Sequence, residues 1–172
     1  NDKPVLHGYN SDKFDNQLIR YSNFENCLDP FILTSPSRVH IDLLKVAETI
    51  NCFAQDAVNF PNPLNIRQSN MAIVNGIDPG QAHTALDDTI TMMKLGRLFE
   101  EKAPEIYYSA YECGSKYRIL NRVQDELYLC YGSLTWKKPR QPIRKACRFL
   151  CQSPVEKQGN NLWFFDLSYD PT

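Results

Sequence analysis

Apolar positions recur at helical spacing in four stretches of the chain, and two later runs are rich in aromatic and strand-favouring residues, with prolines and glycines marking the breaks between them. The opening KPVLHGYN reads as a short strand closed by Gly8, after which Ser11 or Asn10 can cap a helix through SDKFDNQLIRYS. Phe14, Leu18 and Tyr21 stand at i, i+4 and i+7, which predicts one inward-packing face with Asp15 beside it. After Pro30 and Pro36, VHIDLLKVAETINCFA again has a helical period, carried by Ile41, Leu44, Ala47 and Ile50. FPNPLNI breaks it. A weaker helix, RQSNMAIVNG, ends at Gly76, where a left-handed cap is usual.

The strongest helical signal spans residues 83–101, with Ala85, Leu86, Ile90, Met93 and Leu98 as its apolar positions and Pro104 as its end. PEIYYSAYECGSKYRILNRV follows as a helix pair or hairpin bent near Gly114. The character then changes. ELYLCYGSL and NLWFFDLSY are rich in aromatic and strand-favouring residues, and a basic, proline-containing loop separates them; Trp163, inside the second run, is expected in the core. A boundary near residues 104–123 divides the chain into modules 1–110 and 111–172.

Composition narrows the functional classes. With 172 residues and 42% apolar content the chain can bury a core, and no apolar run approaches the roughly 20 residues needed to cross a bilayer. No charged-then-apolar leader opens it, so a cytoplasmic protein is expected. Six cysteines without a CxxC pair, beside three histidines, do not resemble a zinc framework; reduced, mostly structural thiols are expected. Net charge is −1, so any nucleic-acid contact must be local. KKPRQPIRKACR qualifies: Lys137, Lys138, Arg140, Arg144, Lys145 and Arg148 lie together with no acid between them, a cluster that attracts phosphates of any sequence, or else a solvated loop.

Two segments can carry chemistry. In AHTALDDT, His83 stands five residues before Asp88 at a helix start, which places an imidazole at the mouth of a site and a carboxylate one turn inside. Asp87 is also one turn from His83, so spacing alone does not choose between the two aspartates. A surface histidine ahead of acids that favour a helix N-terminus explains the same residues without catalysis. In GYNSDKFD, Asn10 is followed after three residues by Phe14 and Asp15, which could equally be a helix cap and an exposed acid.

Together the segments resemble the second and third motifs of the DEDDh exonucleases, in order and separation. Within that group the chain is most similar to the bacterial exonuclease I family, through HGYNSDKFDNQLIR, the aspartate-bearing HIDLLKVA, IRQSNMAIVNGI and WFFDLSYDP, with residues 136–160 the least alike. The resemblance implies an α/β, ribonuclease H-like exonuclease domain, N-terminally incomplete, followed by the start of a β-rich SH3-like domain. It implies 3′→5′ hydrolysis of single-stranded DNA to nucleoside 5′-monophosphates and a place in DNA repair. The cofactor would be two Mg²⁺ ions, with Mn²⁺ as the alternative. Asp15 and Asp88 would then be metal ligands, His83 the general base, and Asn10 a residue positioning the turn ahead of Asp15. Arg67, Trp136, Lys137, Lys138 and Arg140 would contact the strand, Trp136 by stacking on bases. Relatives associate with single-strand-binding protein, an expected partner beside the DNA itself.

One departure bears on activity. The family's first motif, Asp-x-Glu, precedes the second, yet only NDKPVLH with a lone Asp2 precedes GYN. The chain therefore reads as an internal piece of such an enzyme, with two of four carboxylates and little activity alone. Another DEDDh member, a proofreading subunit or a short-RNA trimming enzyme, shares both motifs. A catalytically dead single-strand-binding module is the alternative from a different class.

Overall fold

The computed structural model describes residues 5–34, 38–81, 84–126, 128–135, 139–154 and 161–170. Strand β1 (Val5–Gly8) leads through a 3-10 turn at Ser11–Lys13 into helix α1 (Asp15–Glu25), and the chain returns to β2 (Val39–Asp42), which pairs parallel with β1 from Val5–Val39 to Gly8–Asp42. Parallel strands need such a crossover. Helix α2 (Leu43–Phe53) starts directly after β2, so the run VHIDLLKVAETINCFA is a strand and a helix rather than one helix. Ile41 also fits the helical spacing of Leu44, Ala47 and Ile50, which hides a four-residue strand. Asp42 marks the change by capping α2, its carboxylate accepting from Leu44 N–H at 3.0 Å.

Helix α3 (Gln68–Val74) ends as expected, with Gly76 at φ 71°, and α4 (Ala85–Lys102) stops before Pro104, the first residue of α5 (Pro104–Cys113). Helix α6 (Lys116–Glu126) completes the pair bent at Gly114, whose carbonyl accepts from His40 N–H at 3.0 Å. No helix among the described residues is long and apolar enough to cross a membrane.

Two helical faces differ from expectation. Phe14, Leu18 and Tyr21 are 66%, 58% and 65% exposed, and α1 buries no residue. The period reports that a face is apolar, not what covers it, and among the described residues nothing does. On α4 the buried face is Thr91, Leu95, Gly96 and Phe99, while Ala85, Leu86, Ile90 and Met93 are exposed and Leu98 half-buried. Apolar residues occupy more than one side of this helix, and its packing against α2, α3 and α5 selects the Leu95 side.

The second sheet is antiparallel, in the order β3 (Tyr128–Leu134), β4 (Pro142–Gln152), β5 (Leu162–Asp166). Its centre corrects the sequence reading: residues 142–148 of the basic segment are not loop but strand, paired with β3 along their length and with β5 from Cys147 onward. Ile143, Lys145, Cys147 and Phe149 point to one face and Arg144, Ala146 and Arg148 to the other, a period of two beneath the charge. Trp163 is 45% exposed on β5 rather than buried in the core. All six cysteines are free, and only Cys52 is buried.

The two sheets share α2. Val46, Ala47 and Ile50 of α2 sit with Val39, Ile41, Leu95 and Phe99 in one apolar core, and Leu134 of β3 belongs to the same cluster. At the joint, Gly132 lets β3 approach closely: a Cβ there would lie 2.9 Å from Phe53 Cε2, 3.0 Å from Cys52 Cβ and 3.2 Å from the Thr49 Cα. Cys52 donates at 3.4 Å to the carbonyls of Ser133 and Ile143, and the Arg144 guanidinium donates to the Cys52 carbonyl. Gly132→Ala is therefore expected to destabilise the protein by about 1–3 kcal/mol through overpacking, read as a lowered midpoint in urea. An unchanged midpoint would show the joint to be loosely packed.

Candidate nucleic-acid interface

A cleft of about 1190 Å³ lies where the two sheets' modules meet. That exceeds the roughly 300–1,000 Å³ of pockets for small ligands and suits an extended polymer. Tyr9, Asn10 and Lys13 line it from the turn after β1, Lys45 and Glu48 from α2, residues 62–68 from the loop before α3, and residues 133–135, 139 and 140 from the β-rich module. Lys13, Lys45, Arg67 and Arg140 bring four cations to its walls against one acid. Glu48 is itself balanced, accepting from Lys45 at 2.8 Å and from the Ser133 hydroxyl at 3.3 Å. The lining thus has a net positive charge although the chain does not, which favours phosphates.

The floor is held by Tyr9, whose hydroxyl donates to the Ile66 carbonyl at 2.5 Å. Burial, with the charges of Asp42 and Glu48, pushes this phenol well above its ordinary pKa, so it remains a neutral donor. Asn10 takes the left-handed conformation at φ 61°, which asparagine tolerates, and its N–H donates to Asp42 Oδ1 at 2.7 Å.

Sequence-predicted residues fall in three groups. Asn10, Arg67 and Arg140 meet in the cleft, Arg67 exposed and Arg140 half-buried. Asp15 and Asp88 are both exposed at helix starts, on α1 and α4. Gln68 ties the second of these to the cleft, its side-chain amide donating to the Asp88 carbonyl at 2.6 Å. His83, Trp136, Lys137 and Lys138 lie outside the described residues.

The aspartate pair after the histidine has two different environments. Asp87 accepts from Thr84 Oγ1 at 2.7 Å and Gln81 N–H at 3.0 Å, while its own N–H donates to Thr84 Oγ1 at 3.3 Å, a variant of the capping box at the start of α4 in which the carboxylate takes the Thr84 hydroxyl rather than its N–H. The Asp88 carboxylate has no hydrogen-bond partner among the described residues and remains available to a ligand. No group of three or more His, Cys, Asp or Glu side chains among the described residues could hold a metal ion.

Sequence reading missed Tyr9, Lys13, Lys45 and Glu48. Each looks ordinary in its own segment, and only the meeting of β1, α2 and β3 brings them together. Asp42 did have a local signal, an acid between a strand-like run and a helix.

No protein-family model matches the chain. Exodeoxyribonuclease I of Haemophilus influenzae is 22% identical over 170 residues, 96% of this chain and 33% of that protein. The Buchnera aphidicola enzyme is 26% identical over 123 residues, 67% of this chain and 25% of its own length. A solved structure of Escherichia coli exonuclease I in complex with a dA16 oligonucleotide superposes on 96% of this chain and 36% of its own, at TM-score 0.73 and 20% identity. The chain is similar to bacterial exodeoxyribonuclease I in sequence and fold. It spans about a quarter to a third of the length of the curated exodeoxyribonuclease I relatives it matches. The zinc-bound form of the E. coli exonuclease I–ssDNA complex superposes on 89% of this chain and 34% of its own, at TM-score 0.69 and 20% identity. The α/β architecture expected from the sequence, a ribonuclease H-like part followed by an SH3-like part, is the fold of exonuclease I.

Proposed function

We propose that this chain is part of a 3′→5′ exonuclease that degrades single-stranded DNA to nucleoside 5′-monophosphates, acting in the cytoplasm and in DNA repair. The observation that carries the proposal is the cationic cleft between the two modules, in a fold shared with a protein solved in complex with a DNA oligonucleotide. Residues 1–110 form the exonuclease module in this reading and residues 111–172 the beginning of the SH3-like one. Arg67 and Arg140 contact phosphates in the cleft, joined by Lys137 and Lys138, while Trp136 stacks on a base. Asn10 holds the turn ahead of Asp15. His83 takes the proton of the attacking water. Single-strand-binding protein is a proposed partner.

Asp15 and Asp88 are the proposed metal ligands, and their hard oxygen donors suit Mg²⁺ or Mn²⁺. The exonuclease reading calls for four carboxylates around two ions, and half of that set would bind the metals weakly. The described residues supply no third ligating group, and the 172 residues contain no Asp-x-Glu. The metal site is thus incomplete within this chain, which by itself is expected to hydrolyse little DNA.

The same incompleteness favours, for the 172 residues alone, a second reading as a single-strand-binding module. The two separate on an end-labelled oligonucleotide assay of the full-length protein with divalent metal. Mononucleotide release from the 3′ end, faster on DNA than on RNA, is the expected result. Faster cleavage of RNA would point to a short-RNA trimming relative, and binding without any cleavage to the dead module. In either reading Arg67→Ala and Arg140→Ala should each weaken oligonucleotide binding regardless of base sequence and reduce the slope of log affinity against log salt by about 0.7, the single-strand value for one phosphate contact. A slope that does not change would take the strand out of this cleft.

A further inference from the structure

The turn that delivers Asp15 is held from below by a strand the exonuclease reading leaves without a role. Asp42, the last residue of β2, is 7% exposed, yet its carboxylate is fully used. Oδ1 accepts from Asn10 N–H at 2.7 Å and from Leu44 N–H at 3.0 Å, and Oδ2 accepts from Asp12 N–H at 3.4 Å. One side chain thereby joins the turn after β1 to the first turn of α2. Two residues earlier on the same face of β2, His40 reaches the same turn. Its Nε2 lies 3.1 Å from Ser11 Oγ and 3.4 Å from Asn16 Nδ2, and its Nδ1 is 3.3 Å from Asp12 Oδ1. Asn16 closes the ring by donating to Asp12 Oδ1 at 3.0 Å.

The order Ser11, His40, Asp12 has the pattern of a nucleophilic hydrolase array, but its setting excludes that chemistry. Ser11 is 4% exposed and wedged beneath Gly8, where a Cβ would lie 2.1 Å from Ser11 Oγ. No substrate can reach this hydroxyl. What the array does is hold backbone. Residues 10–12 are fixed to β2 by Asp42 and His40, Phe14 N–H donates back to Ser11 O at 3.3 Å, and α1 begins at the next residue, Asp15.

We infer that Asp42, supported by His40, is a positioning residue that fixes the turn of residues 10–13 and through it the place of the Asp15 carboxylate. Asp42 need touch neither metal nor DNA to do so. Burial pushes its carboxyl pKa upward while the three backbone donors pull the other way, as expected for a carboxylate kept inside for its hydrogen bonds. The catalytic consequence rests on the proposed role of Asp15. The clamp itself does not.

Asp42→Ser separates the two jobs, because serine still caps a helix but is too short to reach Asn10 and Asp12. Asp42→Asn is the conservative partner, keeping one carbonyl oxygen for Asn10. In the full-length protein, hydrogen–deuterium exchange of the peptide covering residues 9–13 should speed up by about tenfold in Asp42→Ser, with peptides of α2 unchanged. Under the same substitution kcat on single-stranded DNA should fall by about tenfold or more with KM little changed, and Asp42→Asn should recover part of it. Equal acceleration in α2 peptides, or none at residues 9–13, overturns the clamp. Faster exchange at the turn with kcat intact overturns its link to Asp15. A wild-type protein with no hydrolysis refutes the exonuclease reading, and the role of Asp42 in catalysis with it, while the exchange result still decides the clamp.

Discussion

His83→Ala in the full-length protein should lower the rate of 3′-terminal hydrolysis by about 10²–10⁴-fold, the contribution of a positioned general base, and leave affinity for single-stranded DNA nearly unchanged. The separation follows from where the cations are. Lys13, Lys45, Arg67 and Arg140 line the cleft from other segments and lose nothing when the imidazole is removed. Thr84, the residue after the histidine, is independently held. Thr84 N–H donates to the Gln81 carbonyl at 3.2 Å, and Thr84 caps α4. The substitution should thus spare the helix start. Single-turnover hydrolysis and fluorescence anisotropy on the same oligonucleotide measure the two quantities. Activity within about tenfold of the wild type would remove His83 from the chemistry, and a parallel loss of binding would make it a DNA contact instead.

Local order in this chain was legible wherever a segment's own chemistry determined it. The strand before Gly8, the helices ended by Gly76 and Pro104, the bend at Gly114 and the aromatic strands β3 and β5 follow from caps, breakers and side-chain shape. The remaining features depend on partners distant in sequence. Strand β2 is only four residues long, and its Ile41 also fits the period of the helix that follows, so the brief alternation of Val39, His40, Ile41 and Asp42 is absorbed into a helical reading. The apolar faces of α1 and α4 were visible, but which one is buried is decided by neighbours. Strand β4 did carry a two-residue alternation in Ile143, Lys145, Cys147 and Phe149, and the charges of Arg144 and Arg148, which lie on its opposite face, masked it. The cleft residues divide in the same way: Asn10 and Arg67 are singled out through the resemblance and Arg140 through the basic cluster, whereas Lys13 and Lys45 acquire meaning only from the cleft.

The adjacent aspartates of α4 offer the sharpest test, since spacing from His83 does not separate them and their surroundings do. Asp87 faces back over the helix end and completes the capping box with Thr84, so its carboxylate is occupied by donors of its own turn. Asp87→Ala should cost about 0.5–1.5 kcal/mol of stability, the usual net value of a lost hydrogen bond with Thr84 still capping the helix, and retain most of the hydrolysis by the full-length protein. Asp88 makes no such bond among the described residues, and its side chain is exposed beside the Gln68 amide that holds its carbonyl. Asp88→Asn should leave the denaturation midpoint in place and reduce hydrolysis by at least about 10²-fold, because metal-ligand carboxylates support several kcal/mol of transition-state stabilisation. Isothermal titration with Mn²⁺ gives an independent readout, expected to weaken for Asp88→Asn and not for Asp87→Ala. The opposite assignment, with Asp87→Ala inactive and Asp88→Asn active, would mean that the capping box opens when DNA and metal bind. The free carboxylate in this structure would then be the wrong guide to the ligand.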